Sequence, residues 1–366
     1  MIECRTIKEL CSVVVDCPHS TPTWTAEGKI VVRNNNIKNG RIDFSSPSYT
    51  DDEHYQQRIK RATPQGGDII ITREAPMGEV GMIPEGIVCC LGQRMVLLRA
   101  NPDICDNYYL LYSLQSRYVQ HQISWSEGTG TTVSNLRIPH LEQLKIPYLP
   151  LSKQRQVSSV LRCLEEKIKH NRVINDNLQQ QAQAIYASMF VDNAEPTWKQ
   201  GHLSDFVIVR YGKDHKKLAD GIYPVYGSGG IMRHVERPLY DKESVLIPRK
   251  GTLNNVMYVN QPFWSVDTMF YTEMRQPNVA KFVYHFVKAK DLASMNAGSA
   301  VPSMTTDILN AMEIVIPPAS VLEEFESLVA PMYRAMQEND AQSKKLADLR
   351  NALLPKLMSG EIDVSD

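Results

Sequence analysis

The sequence lacks the spaced cysteines that hold a disulfide framework or a structural zinc ion. It has 7 cysteines in 366 residues, none of them in a Cys-x-x-Cys pair and none after Cys163. Cys17 and His19 have no further ligands at metal-binding spacing. We therefore expect the cysteines to be small hydrophobic side chains of a protein in the reducing cytoplasm.

Long apolar runs and an excess of charge of one sign are also missing. No segment approaches the roughly 20 apolar residues that cross a bilayer, and residues 1–6 lack the apolar core of a signal peptide. The 40 Lys and Arg residues against 41 Asp and Glu give a formal net charge of −1. This balance excludes a histone-like basic protein, but a nucleic-acid binder remains open because one basic face can be offset elsewhere. We expect a cytoplasmic protein with no membrane partner.

Catalytic and cofactor-binding motifs are absent as well. The Gly-Lys pairs at 28–29 and 212–213 lack the rest of a P-loop, and the glycines at 227–230 lack the dinucleotide-binding spacing. Residues 101–103 (Asn-Pro-Asp) lack the second proline and the aromatic residue of the amino-methyltransferase motif. Zinc-protease and serine-hydrolase motifs are missing too. The sequence therefore predicts no catalytic residue, no metal site and no cofactor in this chain.

What the sequence does contain is an internal repeat. Residues 130–190 align with residues 298–358 without gaps, at a constant offset of 168. Upstream the similarity is weaker and the offset drifts, with residues 69–73 matching 245–249 at an offset of 176. A repeat of this length predicts one structural plan used twice.

The similar back ends of the repeat predict two long helices that pack on each other. Apolar residues and asparagines recur at alternating steps of four and three, which is the spacing of a coiled coil. The predicted seam consists of Leu164, Ile168, Asn171, Leu178, Ile185 and Met189 in the first helix and Met332, Met336, Asn339, Leu346, Leu353 and Leu357 in the second. Two half-apolar faces need a partner to bury them, and seam asparagines fix register. Two separate, solvated amphipathic helices are the alternative.

The divergent front ends predict globules of mixed structure. Short β-rich runs alternate with Gly, Pro and Asn turns, and one helix is expected in each globule, at 106–121 and 279–290. The predicted fold class is α+β, in which two mixed α/β globules alternate with two long helices that pair as an antiparallel coiled coil, with a pseudo-two-fold internal repeat. The predicted domains are the first globule (1–150), the central helix (151–192), the second globule (193–318) and the C-terminal helix (319–366).

The remaining polar segments are suited to DNA binding. Guanidinium and amide groups match the edges of guanine and adenine in the major groove, whereas lysines and hydroxyls contact phosphates. The first-globule candidates are Arg33, Asn34, Asn35, Asn36, Lys38, Arg73, Thr129 and Thr131. The second-globule candidates are Arg210, Tyr211, Lys213, His215, Lys216, Lys217, Tyr226, Ser228, Arg249 and Lys250. A solvated charged face is the alternative for each segment.

Three segments carry a resemblance that extends over essentially the whole chain. They are residues 146–156 (Ile-Pro-Tyr-Leu-Pro-Leu-Ser-Lys-Gln-Arg-Gln), residues 223–230 (Tyr-Pro-Val-Tyr-Gly-Ser-Gly-Gly) and residues 67–73 (Gly-Asp-Ile-Ile-Ile-Thr-Arg). With two variable globules, each followed by a similar long helix, the sequence resembles a specificity subunit of a type I restriction–modification system.

The resemblance implies a non-catalytic subunit of a DNA methyltransferase and restriction endonuclease complex. Each globule would be a target-recognition domain that reads one half of a split double-stranded DNA target, and the paired helices would set the spacer. Two modification subunits carrying S-adenosylmethionine would dock for adenine methylation, and restriction subunits using ATP and Mg²⁺ would join them. Two other hypotheses stay open: a coiled-coil scaffold with two ligand-binding globules and no DNA specificity, and a divergent methyltransferase.

Overall fold

The computed structural model describes residues 3–38, 40–125, 135–295, 303–362 and 364. The chain divides into two compact units, of which unit 1 comprises Met1–His170 and Gln342–Asp366 and unit 2 comprises Asn171–Ala341. Each unit therefore contains one globule and a segment of both long helices. None of the helices in the described ranges combines the length and apolarity that a membrane crossing requires.

Unit 1 is built from short strands and helices that precede or flank the first long helix. Its strands are β1 (Cys4–Thr6), β2 (Cys11–Asp16), β3 (Lys29–Val32), β4 (Ile37–Lys38), β5 (Arg41–Ile42), β6 (Ser48–Thr50), β7 (Ile69–Thr72), β8 (Val80–Met82), β9 (Cys89–Leu91), β10 (Met95–Ala100) and β11 (Lys145–Pro147). Its helices are α1 (Ile7–Leu10), α2 (Asp52–Arg58), α3 (Asn107–Gln115), α4 (Arg117–Trp125), α5 (Ile138–Gln143) and the first part of the long helix α6 (Leu151–Ala187).

A four-stranded antiparallel sheet of order β2-β10-β7-β8 is the centre of unit 1. A second sheet has the order β6-β3-β9, in which β3 and β9 are parallel. Strand β7 is buried on both faces, because alternation places Ile69 and Ile71 in the cluster that contains Leu110 of α3 and Ile70 in the cluster that contains Cys89 of β9.

One predicted helix of unit 1 is interrupted. The sequence predicts a helix over 106–121, but the structure divides it at Ser116, whose backbone is extended (φ −64°, ψ 147°). The Ser116 hydroxyl donates to Ser113 O at 2.6 Å and accepts from Val119 N at 3.4 Å. This side chain offers the backbone an alternative to helix continuation, as serine commonly does at a helix start.

Unit 2 has a parallel set of elements. Its strands are β12 (Lys199–His202), β13 (Val207–Tyr211), β14 (Asp220–Gly227), β15 (Gly230–Val235), β16 (Ser244–Pro248), β17 (Met257–Val259), β18 (Trp264–Ser265), β19 (Met269–Met274) and β20 (Glu313–Ile316). Its helices are the second part of α6, α7 (Leu203–Phe206), α8 (Ala280–Lys288), α9 (Thr306–Asn310) and the first part of the long helix α10 (Ala319–Met358).

The sheets of unit 2 follow the same plan as those of unit 1. The four-stranded sheet has the order β13-β19-β16-β17, and a three-stranded sheet of order β15-β14-β18 again contains one parallel pair, β14 with β18. The buried strand β16 sends Val245 and Ile247 into one core and Leu246 into the other. The divergent front ends of the sequence thus form two globules with the same strand order.

The same backbone hydrogen bonds recur in the two units at the positions that the sequence matches. In each unit, the residue that follows the buried strand donates its backbone N–H to the residue just before the last strand of the four-stranded sheet. Its backbone carbonyl accepts a hydrogen bond from the segment that leads to the long helix. These bonds are Arg73 N to Arg94 O (2.8 Å) and Leu136 N to Arg73 O (3.0 Å) in unit 1, and Arg249 N to Thr268 O (2.9 Å) and Met304 N to Arg249 O (2.9 Å) in unit 2.

The two long helices have 37 and 40 residues and contact each other within each unit. In unit 1, Arg350 forms an ion pair with Glu165 at 3.1 Å. In unit 2, the Asn175 side chain donates to Met336 O at 3.2 Å and to Asp340 Oδ1 at 2.9 Å. Within each unit the segments of the two long helices are therefore in contact, and the fold is of mixed helix and strand with two long helices.

The predicted seam residues lie at or beside the buried face of these helices. Ile168, Asn171 and Leu357 are buried. The others are half-buried: Leu164, Leu178, Ile185, Met189, Met332, Met336, Asn339, Leu346 and Leu353. In unit 2 the deepest side chains lie one position beyond the predicted ones, at Tyr186, Phe190 and Tyr333. The helices there also cover the globule, so their buried face is wider than a two-helix seam.

Candidate nucleic-acid interface

In unit 1, three loops meet beyond the ends of β3, β7 and β9. The Asn34 side chain donates to Glu74 O at 2.6 Å, and Gly92 N donates to Val32 O at 2.8 Å. Arg33, exposed at the end of β3, lies over the ring of Trp24, with its guanidinium carbon 5.2 Å from the ring centre. The loops therefore present a cation and an aromatic ring together to solvent.

The polar run that follows β3 divides into internal and external residues. Residues Asn34–Asn36 form one 3₁₀ turn, and Asn36 Oδ1 accepts from Arg33 N at 2.9 Å. The Asn36 side chain closes this turn and the Asn34 side chain joins it to the loop after β7, so both amides have a structural role. Asn35 and Lys38 are exposed. Of this run, Arg33, Asn35 and Lys38 are positioned to reach a ligand.

Arg73 has a structural environment that the sequence did not reveal. Its side chain is only 12% exposed and forms an ion pair with Asp16 at 2.9 Å. Its other nitrogens donate to Leu136 O at 2.9 Å and to Asn135 Oδ1 at 3.2 Å. All three guanidinium nitrogens thus have protein acceptors. Contrary to the sequence-based expectation of a DNA contact, Arg73 fastens three segments of unit 1. Thr129 and Thr131 lie outside the described residues.

In unit 2, the corresponding loops gather around Tyr211 and Arg249. The Arg249 guanidinium carbon lies 5.5 Å from the centre of the Tyr211 ring, and its Nη1 donates to Asp267 O at 3.2 Å. Ser228, half-buried at the turn after β14, accepts at its backbone oxygen from the Asn255 side chain at 2.8 Å. The arrangement brings Tyr211, Ser228 and Arg249 to one loop cluster.

Two unit 2 candidates face elsewhere. Arg210 precedes Tyr211 in β13 and therefore points to the opposite face, where it forms a bidentate pair with Glu273 at 3.1 and 3.3 Å. Hydrogen bonding to Glu273 raises the pKa of Arg210. Tyr226 is buried, contrary to its prediction as a DNA contact, because it belongs to an apolar cluster that includes Phe263 and Trp264. Its ring packs on Phe263, and burial raises the pKa of Tyr226.

The remaining unit 2 candidates form exposed basic loops. Lys213, Lys216, Lys217 and Lys250 are exposed, and His215 is half-buried. Asp214 Oδ1 accepts from Lys216 N at 3.0 Å, and this bond lowers the pKa of Asp214. The carboxylate thus shapes the loop while the lysine ammonium groups stay in water, where they suit phosphate contacts.

Several exposed residues near these loops were not predicted. Trp24 lies in a Thr- and Pro-rich segment of unit 1, and Ile231 and Met232 lie on β15 of unit 2. A lone tryptophan between turn-forming residues is the signal that marks Trp24 in the sequence. Ile231 and Met232 resemble any strand residues in sequence, and only the sheet arrangement exposes them. Across the described part of the chain, no group of three or more His, Cys, Asp or Glu side chains is arranged to hold a metal ion.

Comparison with known proteins gives a consistent result over most of the chain. The family model for the type I restriction modification DNA specificity domain matches residues 3–180 and 195–324. The chain is 23% identical over 344 residues to the type I restriction enzyme MjaIX specificity subunit of Methanocaldococcus jannaschii, covering 82% of this chain and 78% of that protein.

A second relative and a solved structure agree with this match. A putative type I specificity subunit of Mycoplasma genitalium is 24% identical over 278 residues, covering 70% of each chain. The crystal structure of a type I restriction-modification S subunit from M. genitalium has a TM-score of 0.60 at 18% identity, covering 98% of this chain and 96% of that one. The last likeness concerns the fold.

Proposed function

The chain belongs to the type I restriction modification DNA specificity family, and on that basis we propose that each unit reads one half of a bipartite target in double-stranded DNA. The observation that carries this proposal is that both units present a stacked arginine at their loops, although the two arginines occupy different positions of the shared backbone plan. In each, an arginine, exposed in unit 1 and half-buried in unit 2, lies over an exposed aromatic ring, at 5.2 Å in unit 1 and 5.5 Å in unit 2. Exposed lysines near these loops supply the phosphate contacts that fix orientation.

The two long helices act as the spacer of the target. We propose that they form an antiparallel coiled coil within an internal repeat, and the recurring strand order and backbone bonds support that repeat. At about 1.5 Å per residue, each helix is roughly 55–60 Å long. Helix length then fixes the number of base pairs left unread between two half-sites, which lie about one helical turn of DNA apart or a multiple of it.

The chain is a non-catalytic member of a larger assembly. Residues 1–150 and 193–318 are the target-recognition domains, and 151–192 and 319–366 are the spacer helices. Two modification subunits carrying S-adenosylmethionine dock on the chain to methylate adenine, and restriction subunits using ATP and Mg²⁺ join them in the cytoplasm. The approximate two-fold repeat suits two identical partners.

Domain exchange tests the assignment of one half-site to each globule. Residues 1–150 are replaced by those of a relative, and methylated adenines are mapped in cells that produce the hybrid with its modification subunits. We expect one half of the methylated motif to change and the other half and the spacer to persist. Exchange of residues 193–318 is the matched control and changes the other half. A hybrid in which both halves change contradicts the assignment.

Insertion tests the role of the helices separately. Four to seven residues added within 164–189 should lengthen or shorten the unread spacer and leave both half-sites as they were.

Salt titration provides a further check, because neutralised phosphates release counterions and binding to the target duplex must weaken steeply with added salt. Binding that is insensitive to salt, or an unchanged spacer in a folded insertion variant, opposes the proposal.

A further inference from the structure

The arginines of the candidate interface fall into two chemical classes. Arg73 and Arg210 hold carboxylates, at 2.9 Å to Asp16 and 3.1 Å to Glu273. For Arg33 and Arg249, no carboxylate in the described ranges lies within ion-pair distance. An arginine that already fills its bidentate fork with a carboxylate must give up that pair before it binds a base, whereas Arg33 and Arg249 have no such pair to break.

Arg33 is oriented in unit 1 without being neutralised. Its guanidinium carbon lies 5.2 Å from the centre of the Trp24 ring, and the ring is 47% exposed. One terminal nitrogen donates to Ser48 Oγ at a long 3.4 Å, and the backbone N–H donates to Asn36 Oδ1. Stacking on the indole restricts the plane of the guanidinium while its outward donors stay available.

Arg249 has the same surroundings in unit 2. Its guanidinium carbon lies 5.5 Å from the centre of the Tyr211 ring, which is 52% exposed. Arg249 is half-buried, and one terminal nitrogen donates to Asp267 O at 3.2 Å, which fixes one edge of the guanidinium. A neutral carbonyl orients the guanidinium and leaves its charge uncompensated.

The two stacked pairs arise from different positions of the shared backbone plan. Arg33 follows β3 of the three-stranded sheet, whereas Arg249 follows β16 of the four-stranded sheet. The residue that corresponds to Arg249 in unit 1 is Arg73, which is paired with Asp16. The shared plan therefore does not generate the pairing, and each unit reaches it through its own loops.

We propose that Arg33 and Arg249 are the specificity-determining arginines, each donating two hydrogen bonds to O6 and N7 of a guanine, one guanine in each half of the target. This inference rests on the proposed DNA-reading function. The planar fork of arginine matches the two acceptors of guanine in the major groove, which is the commonest specific contact there. Trp24 and Tyr211 hold the forks in place. Arg73 and Arg210 read no base.

The test compares Arg33→Lys and Arg249→Lys with the control Arg210→Lys, each in the complex with modification subunits. Binding is measured by competition among duplexes that carry single base changes in the methylated target of the unaltered protein. Arg33→Lys should lower discrimination at one guanine of one half-site on the order of 5- to 150-fold. Arg249→Lys should do the same in the other half-site. Arg210→Lys should change discrimination less than twofold at every position.

The salt dependence separates base reading from phosphate contact. Methionine in place of a base-reading arginine should leave the slope of binding against salt nearly unchanged, because no phosphate contact is lost, whereas the same change at a phosphate-contacting arginine lowers the slope. Arg33→Met and Arg249→Met should abolish the guanine preference in their own half-site only. Weakening that is equal for all sequences, with a salt slope reduced by about one, identifies a phosphate contact and overturns the inference.

Unaltered discrimination in these variants also overturns it. The four substitutions of Arg33 and Arg249 replace side chains that have no carboxylate partner in the described ranges, so unchanged melting temperatures verify folding. Methylated adenines are mapped with the unaltered chain before any variant is made. If no bipartite motif is found, the proposed function itself is contradicted. A bipartite motif that survives every arginine substitution contradicts only the inference.

Discussion

Unit 1 and unit 2 share a backbone framework and differ in what they place on it. Cys17 N donates to Met95 O and Gly212 N to Met269 O, each at 3.0 Å, although the residues just before these donors are unlike. Asp16 neutralises Arg73 in unit 1, whereas Tyr211 lies beneath Arg249 in unit 2. Because the framework depends on main-chain groups, side chains at its loops change without altering the fold.

The units also differ in how the long helices are held. In unit 1 the contact is partly polar, with the Ser158 hydroxyl donating to Asp106 at 2.5 Å and the Tyr112 hydroxyl to Glu165 at 3.1 Å. In unit 2 an aromatic cluster takes this place, and Phe325 meets Phe190 edge-on with ring centres 5.2 Å apart. The same helix-on-globule arrangement is therefore compatible with two different kinds of contact.

The largest expected effect tests this second difference. Phe325→Ala removes a fully buried ring and should lower the free energy of unfolding by about 3–5 kcal/mol. Its match in the repeat, Val157→Ala in unit 1, loses two methylene equivalents and should cost about 2 kcal/mol. Denaturant unfolding of both variants measures the contrast. Equal losses would mean that the Phe325 ring stabilises unit 2 no more than the Val157 side chain stabilises unit 1.

The next effect concerns the two corresponding arginines. Arg73→Met leaves the half-buried Asp16 carboxylate without its ion-pair partner and removes the hydrogen bond to Leu136 O. The free energy of unfolding should therefore fall by about 2–3 kcal/mol. Arg249→Met removes a half-buried stacked group that has no carboxylate partner and should change the free energy of unfolding by about 0.5 kcal/mol or less. Thermal unfolding provides the comparison. If Arg249→Met is the more destabilising variant, the division into a structural and an available arginine fails.

A third prediction concerns the pH dependence of stability, because a buried histidine lies where the long helices contact the globule of unit 2. His285 Nδ1 donates to Gln183 Oε1 at 2.7 Å, and the Tyr333 hydroxyl donates to Nε2 at 2.9 Å. Burial lowers the pKa of His285 to about 4. Between the ordinary value of about 6.5 and this value the unfolded chain binds a proton that the folded chain does not, so stability falls as pH falls.

At pH 5 this linkage costs unit 2 about 2 kcal/mol relative to pH 8. His285→Gln retains hydrogen-bonding groups without a titrating ring, and its stability should decline less between pH 7 and pH 5 than that of the unaltered protein. Urea unfolding followed at several pH values provides the measurement. Parallel pH profiles for the two proteins would show that His285 is not responsible.

The smallest effect concerns the polar contact of unit 1. Glu165→Gln keeps the shape of the side chain but weakens its bonds to Arg350 and Tyr112, so the free energy of unfolding should fall by about 1 kcal/mol. The loss should shrink at high salt, because one of the two partners is charged. Glu166→Gln on the exposed face is the matched control and should be nearly neutral. A salt-independent loss points to packing instead.

Much of the framework was predictable because it depends on periodic patterns. The step of three and four residues predicts both long helices, and the matched runs at 69–73 and 245–249 are the buried strands β7 and β16 with the arginines that follow them. Ser116 was missed because a helix interruption by one hydroxyl carries little sequence signal. The burial of Tyr186 and Phe190 was not predicted, because the predicted seam considers only contacts between the two helices. These side chains also pack against the globule of unit 2.

The candidate interface was predicted less well, for a physical reason. Arg33 and Arg73 look equivalent in sequence, and their environments depend on partners distant along the chain, Trp24 and Asp16. Tyr226 and Tyr211 both lie near the end of a strand, but the apolar cluster around Phe263 buries Tyr226. Availability of a polar side chain is a property of its neighbours, and those neighbours are brought together only by folding.

The sequence by itself determined that one plan occurs twice, that each copy ends in a long amphipathic helix and that polar loops follow the buried strands. These properties are local, since they follow from hydrophobic period, turn residues and an alignment of the chain with itself. The tertiary structure alone decided which arginines are neutralised, which aromatic rings are exposed and how each helix contact is filled. Those outcomes depend on contacts between residues that are far apart in sequence.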